Sequence, residues 1–299
     1  MRIIITGISG FVGQNLNTYL QDSGNEILPL SLRIPEWKEK FPLNAVSLIH
    51  LAGKAHDTSN TSQPEDYFLI NRDLTITLFN KFLKSNIRDF FYFSSVKAVA
   101  DSLEGVLEED ITGNPLTPYG KSKMEAEEYL LQQKLPDGKR LFIIRPCMIH
   151  GPGNKGNLNL MYNVVKKSIP WPLAAYHNQR SFLSIDNLSF LIEAMIKKID
   201  LPSGIYNFAD DDPLSTNDLV HLISETLGKK AKLWTISPFL IKIVAQVGDF
   251  LPLPLDSERL KKLTESYVVC NNKIKKNLEI KRLPVSSKEG LVKTFRSFS

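Results

Sequence analysis

Residues 2–13 read Arg2-Ile-Ile-Ile-Thr-Gly7-Ile-Ser-Gly10-Phe-Val-Gly13, a short β-branched run followed at once by glycines at every third position. An apolar pattern at helical spacing continues through Val12, Leu16, Tyr19 and Leu20, so the stretch predicts a strand, a glycine turn and a helix. Backbone N–H groups at the start of such a helix, aided by the helix dipole, favour a pyrophosphate. The residues expected to meet it are Gly7, Gly10, Phe11, Val12 and Gly13. A glycine turn alone can be purely structural; its placement directly after a strand gives it weight.

Further along, strands are expected at residues 26–30, 46–51, 90–94 and 141–145, and helices at residues 71–85 and 118–131. Between Ser31 and Val46 there is hardly room for another strand. Strands alternating with helices at this spacing imply a parallel sheet covered on both faces, an α/β fold. After Gly151 the pattern changes to a Gly/Asn cluster and then helical segments at residues 186–198 and 215–227 separated by short strands. A boundary there divides a cofactor-binding half, residues 1–150, from residues 151–299, mainly a substrate-binding half.

The chain has 299 residues, 42% hydrophobic and 23% charged, which permits a sizeable core and excludes bulk disorder. Cys147 and Cys270 are too few for a disulfide framework and lack the spacing of a zinc site, so a reducing compartment is expected. No leader-like segment precedes the first strand, and a cytoplasmic location is the natural expectation. The longest apolar stretch, residues 234–255, is interrupted by Lys242, Asp249 and prolines; it reads as a buried or cleft-lining helix, not a membrane span. Residues 229–299 carry 15 Lys/Arg against 6 Asp/Glu. Without interleaved aromatics, pairs such as Lys261-Lys262 and Lys275-Lys276 read as solvated exterior, and no nucleic-acid partner is expected.

Tyr119 and Lys123 stand four residues apart, on one face of the expected helix. A nearby cation stabilises phenolate and so would lower the tyrosine pKa from about 10 toward the range of a general base. The same spacing also arises by chance on surface helices. Upstream, the strand-end pair Ser94-Ser95 offers hydroxyls to a sugar oxygen, and Thr117-Pro118 supplies a helix entry. The second strand ends Leu30-Ser-Leu-Arg33, with no carboxylate for a ribose 2′-hydroxyl; Arg33 could pair with a 2′-phosphate instead. His50, inside an apolar strand, reads as a satisfied core residue, and Asp210-Asp-Asp212 as a solvated turn and helix entry. His150 and Cys147 show no partner set for a metal or a thiol nucleophile, and no metal is expected.

Taken in order, Gly7-x-x-Gly10-x-x-Gly13, Leu51-Ala52-Gly53, Ser94-Ser95, Tyr119-x-x-x-Lys123 and Arg145-Pro146 resemble an extended short-chain dehydrogenase/reductase. More narrowly, the chain is similar to the nucleotide-sugar epimerase/dehydratase family. The likeness runs from Met1 to about Phe298, since His150-Gly-Pro-Gly153, Gly156-Asn157, Arg180-Ser-Phe-Leu-Ser-Ile-Asp186 and Tyr206-Asn-Phe fall at its substrate-domain motifs. It implies a Rossmann-type doubly wound parallel sheet with a smaller C-terminal α/β substrate domain. It further implies cofactor contacts at the glycine turn, Leu51, Ala52, Gly53, Tyr119, Lys123 and Pro146. By the same resemblance Tyr119 would be the catalytic acid or base, Lys123 would hold the nicotinamide ribose, and Ser95, favoured over Ser94, would bind the reacting oxygen. Asn157 and Arg180, with Arg259 and His56 as weaker candidates, would meet the substrate.

Where the family's 4,6-dehydratases carry Asp and Glu, this chain has Val96 and Lys97, so elimination lacks its proton-transfer groups. The family's usual third strand and its adenine-contacting Asp are also missing. The expectation is an enzyme using NADP(H) or NAD(H), leaning to NADP(H), on C4 of a UDP- or dTDP-hexose in bacterial surface polysaccharide synthesis. A 4-keto-6-deoxy sugar reductase is favoured over a 4-epimerase, and the resemblance implies a possible homodimer. A non-catalytic NAD(P)-binding sensor on this fold would commonly lose the tyrosine or the lysine, and both are present.

Overall fold

The computed structural model describes residues 1–54, 63–154, 156–251 and 255–298. Six strands form its central sheet: β1 (Arg2–Thr6), β2 (Glu26–Leu30), β3 (Ser47–His50), β4 (Asp89–Phe93), β5 (Arg140–Pro146) and β6 (Gly204–Phe208). All neighbours pair in parallel, in the order β2-β1-β3-β4-β5-β6. Because side chains alternate across a strand, continuous apolar runs feed two cores at once. Ile3, Ile5, Phe91, Phe142 and Ile144 enter one core, and Ile4, Phe90, Tyr92, Leu141 and Ile143 the other. The first core is covered by α1 (Phe11–Asp22), the second by α2 (Leu74–Leu83) and α3 (Pro118–Gln132). The sheet is therefore doubly wound, as expected.

Between β2 and β3 the chain makes only a 3-10 turn, Pro35–Lys38, whose Trp37 is buried beside Leu30 and Leu48. That leaves β2, with Pro29 in it, as one edge of the sheet. The helix expected from residue 71 starts earlier: a turn at Pro64–Tyr67 runs through a π-helical stretch, Phe68–Asp73, into α2. Pro64 supplies a preset φ at the first position of that turn.

The second half contributes α4 (Asn157–Lys166), α5 (Ile185–Lys197), α6 (Thr216–Thr226), α7 (Pro238–Gly248), α8 (Ser257–Thr264) and two more helices. It also returns to the sheet, for α5 packs against α1 and β6 pairs with β5. A separate core gathers Tyr162, Trp171, Phe182, Leu219, Ile223 and Phe295.

Two expectations need correcting. The Asp210-Asp-Asp212 run is not a solvated turn: Asp210 is buried and accepts hydrogen bonds from the Ser184 N–H and, at 2.7 Å, from Asn187 Nδ2. Burial pushes the Asp211 carboxyl up, but bonds from Lys275 (2.7 Å), the Leu283 N–H (2.8 Å) and Asn271 outweigh it and hold the group below its usual range. Position after β6 explains the difference, since the Ser184 and Leu283 N–H groups and the side chains of Asn187, Asn271 and Lys275 converge there and find their acceptors in these carboxylates. The apolar stretch 234–255 is also not buried. Helix α7 buries Ile241 and Ala245 and turns most of its other apolar side chains outward. Among the described residues no helix is long and apolar enough to cross a membrane. His50, by contrast, is the satisfied core histidine that was expected. It shares hydrogen bonds with Thr6 Oγ1 (2.8 Å) and Thr75 Oγ1 (2.9 Å), and burial, with Lys123 nearby, lowers its pKa to about 3.

Replacing Asp210 by Ala strands buried donors of Ser184 and Asn187, so the protein should lose about 3 kcal/mol of unfolding free energy. Asp212→Ala, at an exposed carboxylate, should lose less than about 1 kcal/mol. Urea unfolding of the two variants measures the contrast.

Candidate active site

The glycine turn is pressed onto the end of β3. Gly7 has φ +69°, and a Cβ there would lie 2.6 Å from the Ala52 nitrogen and 2.8 Å from the Leu51 carbonyl carbon. Gly13 is closed to a side chain by the Gly7 oxygen and the Ile8 backbone, which seats α1 against the turn. Gly10 is the N-cap of α1, with no side-chain cap and no acidic residue in the first turn. Phe11 and Val12 open the helix. An uncapped helix start without a carboxylate fits a dinucleotide pyrophosphate.

From the turn, Leu51-Ala52-Gly53 leads to the chemistry. A Cβ on Gly53 would stand 3.0 Å from Asn71 Oδ1 and 3.3 Å from Lys123 Nζ. Asn71 lies buried in the π-helical stretch; its side-chain oxygen accepts the Lys54 N–H (2.8 Å), and its amide donates to Lys54 O and Ser122 Oγ (both 3.1 Å). Sequence reasoning passed over this residue, although an asparagine after Phe68-Leu-Ile in an apolar helical stretch was the available signal.

Helix α3 starts at the site because Thr117 caps the Gly120 N–H at 3.2 Å, Pro118 presets the first turn, and Asp101 accepts the Leu116 N–H at 2.7 Å. Tyr119 and Lys123 then share a face. The Tyr119 hydroxyl is hydrogen-bonded to Ser95, whose Oγ also accepts the Lys97 N–H at 3.2 Å. Ser94 points elsewhere: its hydroxyl donates to Glu127, which forms a buried ion pair with Arg145 at 2.6 Å. Of the two serines, only Ser95 is brought to the tyrosine.

The expected lowering of the Tyr119 pKa is not what the structure shows. Burial raises it, the Ser95 bond pulls it down by less, and the Tyr67 phenol group, whose ring packs edge-on at 6.2 Å, adds to the rise through its charge. Lys123 is turned aside, donating to Phe93 O at 2.8 Å over the Tyr92 ring. Burial lowers its own pKa to about 8 against the opposing pull of Glu127.

Lys97 and Arg180 stand close enough for the Arg180 charge to act on the Lys97 ammonium. Lys97 Nζ donates to Asp101 O at 2.6 Å and lies 4.4 Å from the Tyr267 ring centroid; burial lowers its pKa, and the Arg180 charge lowers it further. The Arg180 backbone bridges to Leu214 and Tyr267, and its guanidinium donates to the Lys262 carbonyl. Neither cation makes a salt bridge among the described residues, though the charges of Asp101 and Glu265 act on Lys97 and that of Glu265 on Arg180.

The remaining candidates lie further out. Arg33 is exposed just beyond β2, Pro146 ends β5, and Asn157 is the first residue of α4. Arg259 is exposed and 3.3 Å from Asp256. His56 lies outside the described residues. Cys147 is buried, and burial pushes its thiol well up, which suits a packing role.

A family model described as the NAD dependent epimerase/dehydratase family matches residues 3–209. The chain belongs to that family. A UDP-glucose 4-epimerase of Vibrio cholerae is 28% identical to it over 249 residues, 76% of each chain. The N-acetyl-alpha-D-glucosaminyl-diphospho-ditrans,octacis-undecaprenol 4-epimerase of Escherichia coli O157:H7 is 27% identical over 248 residues, 77% of this chain and 73% of its own. Among solved structures, RMD from Pseudomonas aeruginosa complexed with NADPH has a TM-score of 0.75 at 19% identity, covering 99% of this chain and 98% of that one, which shows a shared fold.

As an epimerase/dehydratase family member the chain is an NAD(P)-dependent enzyme of the short-chain dehydrogenase/reductase type. The Lys123 ammonium that faces Gly53 sheds its proton near pH about 8. If Lys123 holds the nicotinamide ribose, as the family resemblance implies, cofactor affinity should fall as pH rises through that value, because the charge-assisted bond would be weakened. Lys123→Met should bind more weakly throughout and show no such step; NADH fluorescence titrations on either side of pH about 8 check both.

Proposed function

We propose that the enzyme is a 4-epimerase acting on a hexose carried by a diphosphate, with a nucleotide sugar as the substrate class. The hydrogen-bonded pair Ser95–Tyr119, set beside Lys123 and Gly53, carries this reading. Removal and return of a hydride at C4 is the chemistry that a bound nicotinamide supplies. Tyr119 moves the proton on the C4 oxygen, Ser95 fixes that oxygen by a hydrogen bond, and Lys123 sets the local charge. The cofactor's pyrophosphate would rest on Gly7, Gly10 and the first turn of α1, with Leu51-Ala52-Gly53 beneath the reacting end. Arg180 would hold the substrate diphosphate. A diphosphate fixed at one end leaves the oxidised sugar free to turn and present its other face. Val96 and Lys97 offer no carboxylate for elimination.

Two relatives matched over about three quarters of the chain are 4-epimerases, one of UDP-glucose and one of a sugar on undecaprenyl diphosphate. Their shared element, a hexose on a diphosphate, supports the substrate class, and the second supports a place in surface polysaccharide assembly. The reductase reading favoured on sequence keeps one specific support. Arg33 stands exposed after β2 with no carboxylate beside it in Leu30-Ser-Leu-Arg33, an arrangement that suits an exchangeable NADPH such as that bound to RMD.

Incubation with UDP-glucose and UDP-GlcNAc, followed by NMR of the C4 proton, should show interconversion with the galacto epimers and no net change in NAD(P)H. Tyr119→Phe should slow it at least about 10²-fold without unfolding the protein. NADPH consumption with a UDP-4-keto-6-deoxy sugar, and no epimerisation, would replace the epimerase by the reductase. If Arg33 serves a 2′-phosphate, Arg33→Ala should weaken NADP(H) about tenfold and leave NAD(H) unchanged in parallel binding titrations.

A further inference from the structure

Helix α7 presents to water the kind of surface that soluble helices hide. At about 100° per residue, Phe239, Leu240, Ile243, Val244 and Val247 fall in one continuous arc of about 140°. Phe250, whose N–H still bonds Val247 O at 3.2 Å, extends the same arc past the helix end. Phe239 is 71% exposed and Phe250 90% exposed. Ile241, Ala245 and Gly248 occupy the next sector and face the protein; Lys242, Gln246 and Asp249 fill the third. A surface helix of a soluble domain carries its polar residues opposite the packed sector. Here that position is apolar, and the polar residues are confined to one flank. Trp234, in the segment leading into the helix, is also 56% exposed.

Unpaired lysines outnumber unpaired acids around the helix, Asp249 being the one acid there bonded to a neutral residue and not to a cation. Lys230 and Lys232 precede the helix, Lys242 runs along its flank, and Lys261 lies on α8, which packs against α7. None of these four lysines makes an ion pair among the described residues. The nearby acids are engaged: Asp256 with Arg259, Glu258 with Lys262, and Asp249 with Ser257. A broad aliphatic and aromatic arc with free lysines at its margin matches a helix lying in the headgroup region of an anionic bilayer. A second copy fits less well, since two-fold pairing of this face would set the same lysines against themselves.

We propose that the α7 face is a peripheral docking surface for anionic phospholipid membranes. The inference goes beyond the reaction proposed above and does not depend on it.

Flotation of the full chain with phosphatidylcholine vesicles, with and without one third phosphatidylglycerol, tests it. The protein should float with the anionic vesicles, and added salt should weaken the association. Phe239→Ser combined with Ile243→Ser should reduce the floated fraction about tenfold while melting temperature and NADH binding stay unchanged. Failure to float with anionic vesicles, or equal flotation of the doubly substituted protein, overturns the proposal. So does light scattering in lipid-free buffer that finds a dimer split by the same substitutions, which would assign the face to a second copy.

Discussion

The contact between Gly7 and the end of β3 is the constraint on which the rest of the site depends. With the Ala52 nitrogen 2.6 Å from where a Gly7 Cβ would stand, the chain leaving β1 and the chain leaving β3 meet at backbone distance. Two consequences follow from that one approach. The start of α1 is aimed along the carboxyl end of the sheet, and Gly53 is delivered to the space in front of Lys123 and Asn71. Any side chain at residue 7 would have to part the two strands, and the phosphate cradle would separate from the reacting groups.

Behind the reacting groups lies a second layer of buried charge. Glu127, one turn beyond Lys123 on α3, pairs with Arg145 of β5 and receives the hydroxyl of Ser94 from the end of β4. Such a pair would be costly if either charge were left unmet. Here both partners are bonded, and the pair ties the helix bearing Tyr119 and Lys123 to two strands of the sheet. Ser94 thus serves position, and its neighbour Ser95 faces the tyrosine.

Much of this was legible in the chain. Glycine spacing after a β-branched run located the turn, alternating apolar runs gave the strands, and the short interval from Ser31 to Val46 announced the missing strand. What escaped depends on neighbours distant in sequence. The direction of the Tyr119 shift is set by burial among Ser95 and Tyr67, which spacing to Lys123 does not reveal. Asp210 looks like a turn residue until Ser184 and Asn187 are brought to it. The stretch 234–255 reads as a buried or cleft-lining helix, yet residues 239–247 mostly face outward, because hydropathy reports what a side chain avoids and not whether the fold covers it.

Loss of the usual third strand has an effect on the sheet itself. With only a 3-10 turn between β2 and β3, β2 becomes an outer strand whose far side no other strand of the sheet pairs. Within it stands Pro29, in register with Ile5 of β1. Proline has no N–H to offer, so this rim presents an interrupted row of donors to any passing chain. By this device a shortened sheet avoids recruiting another molecule's strand and growing into an aggregate.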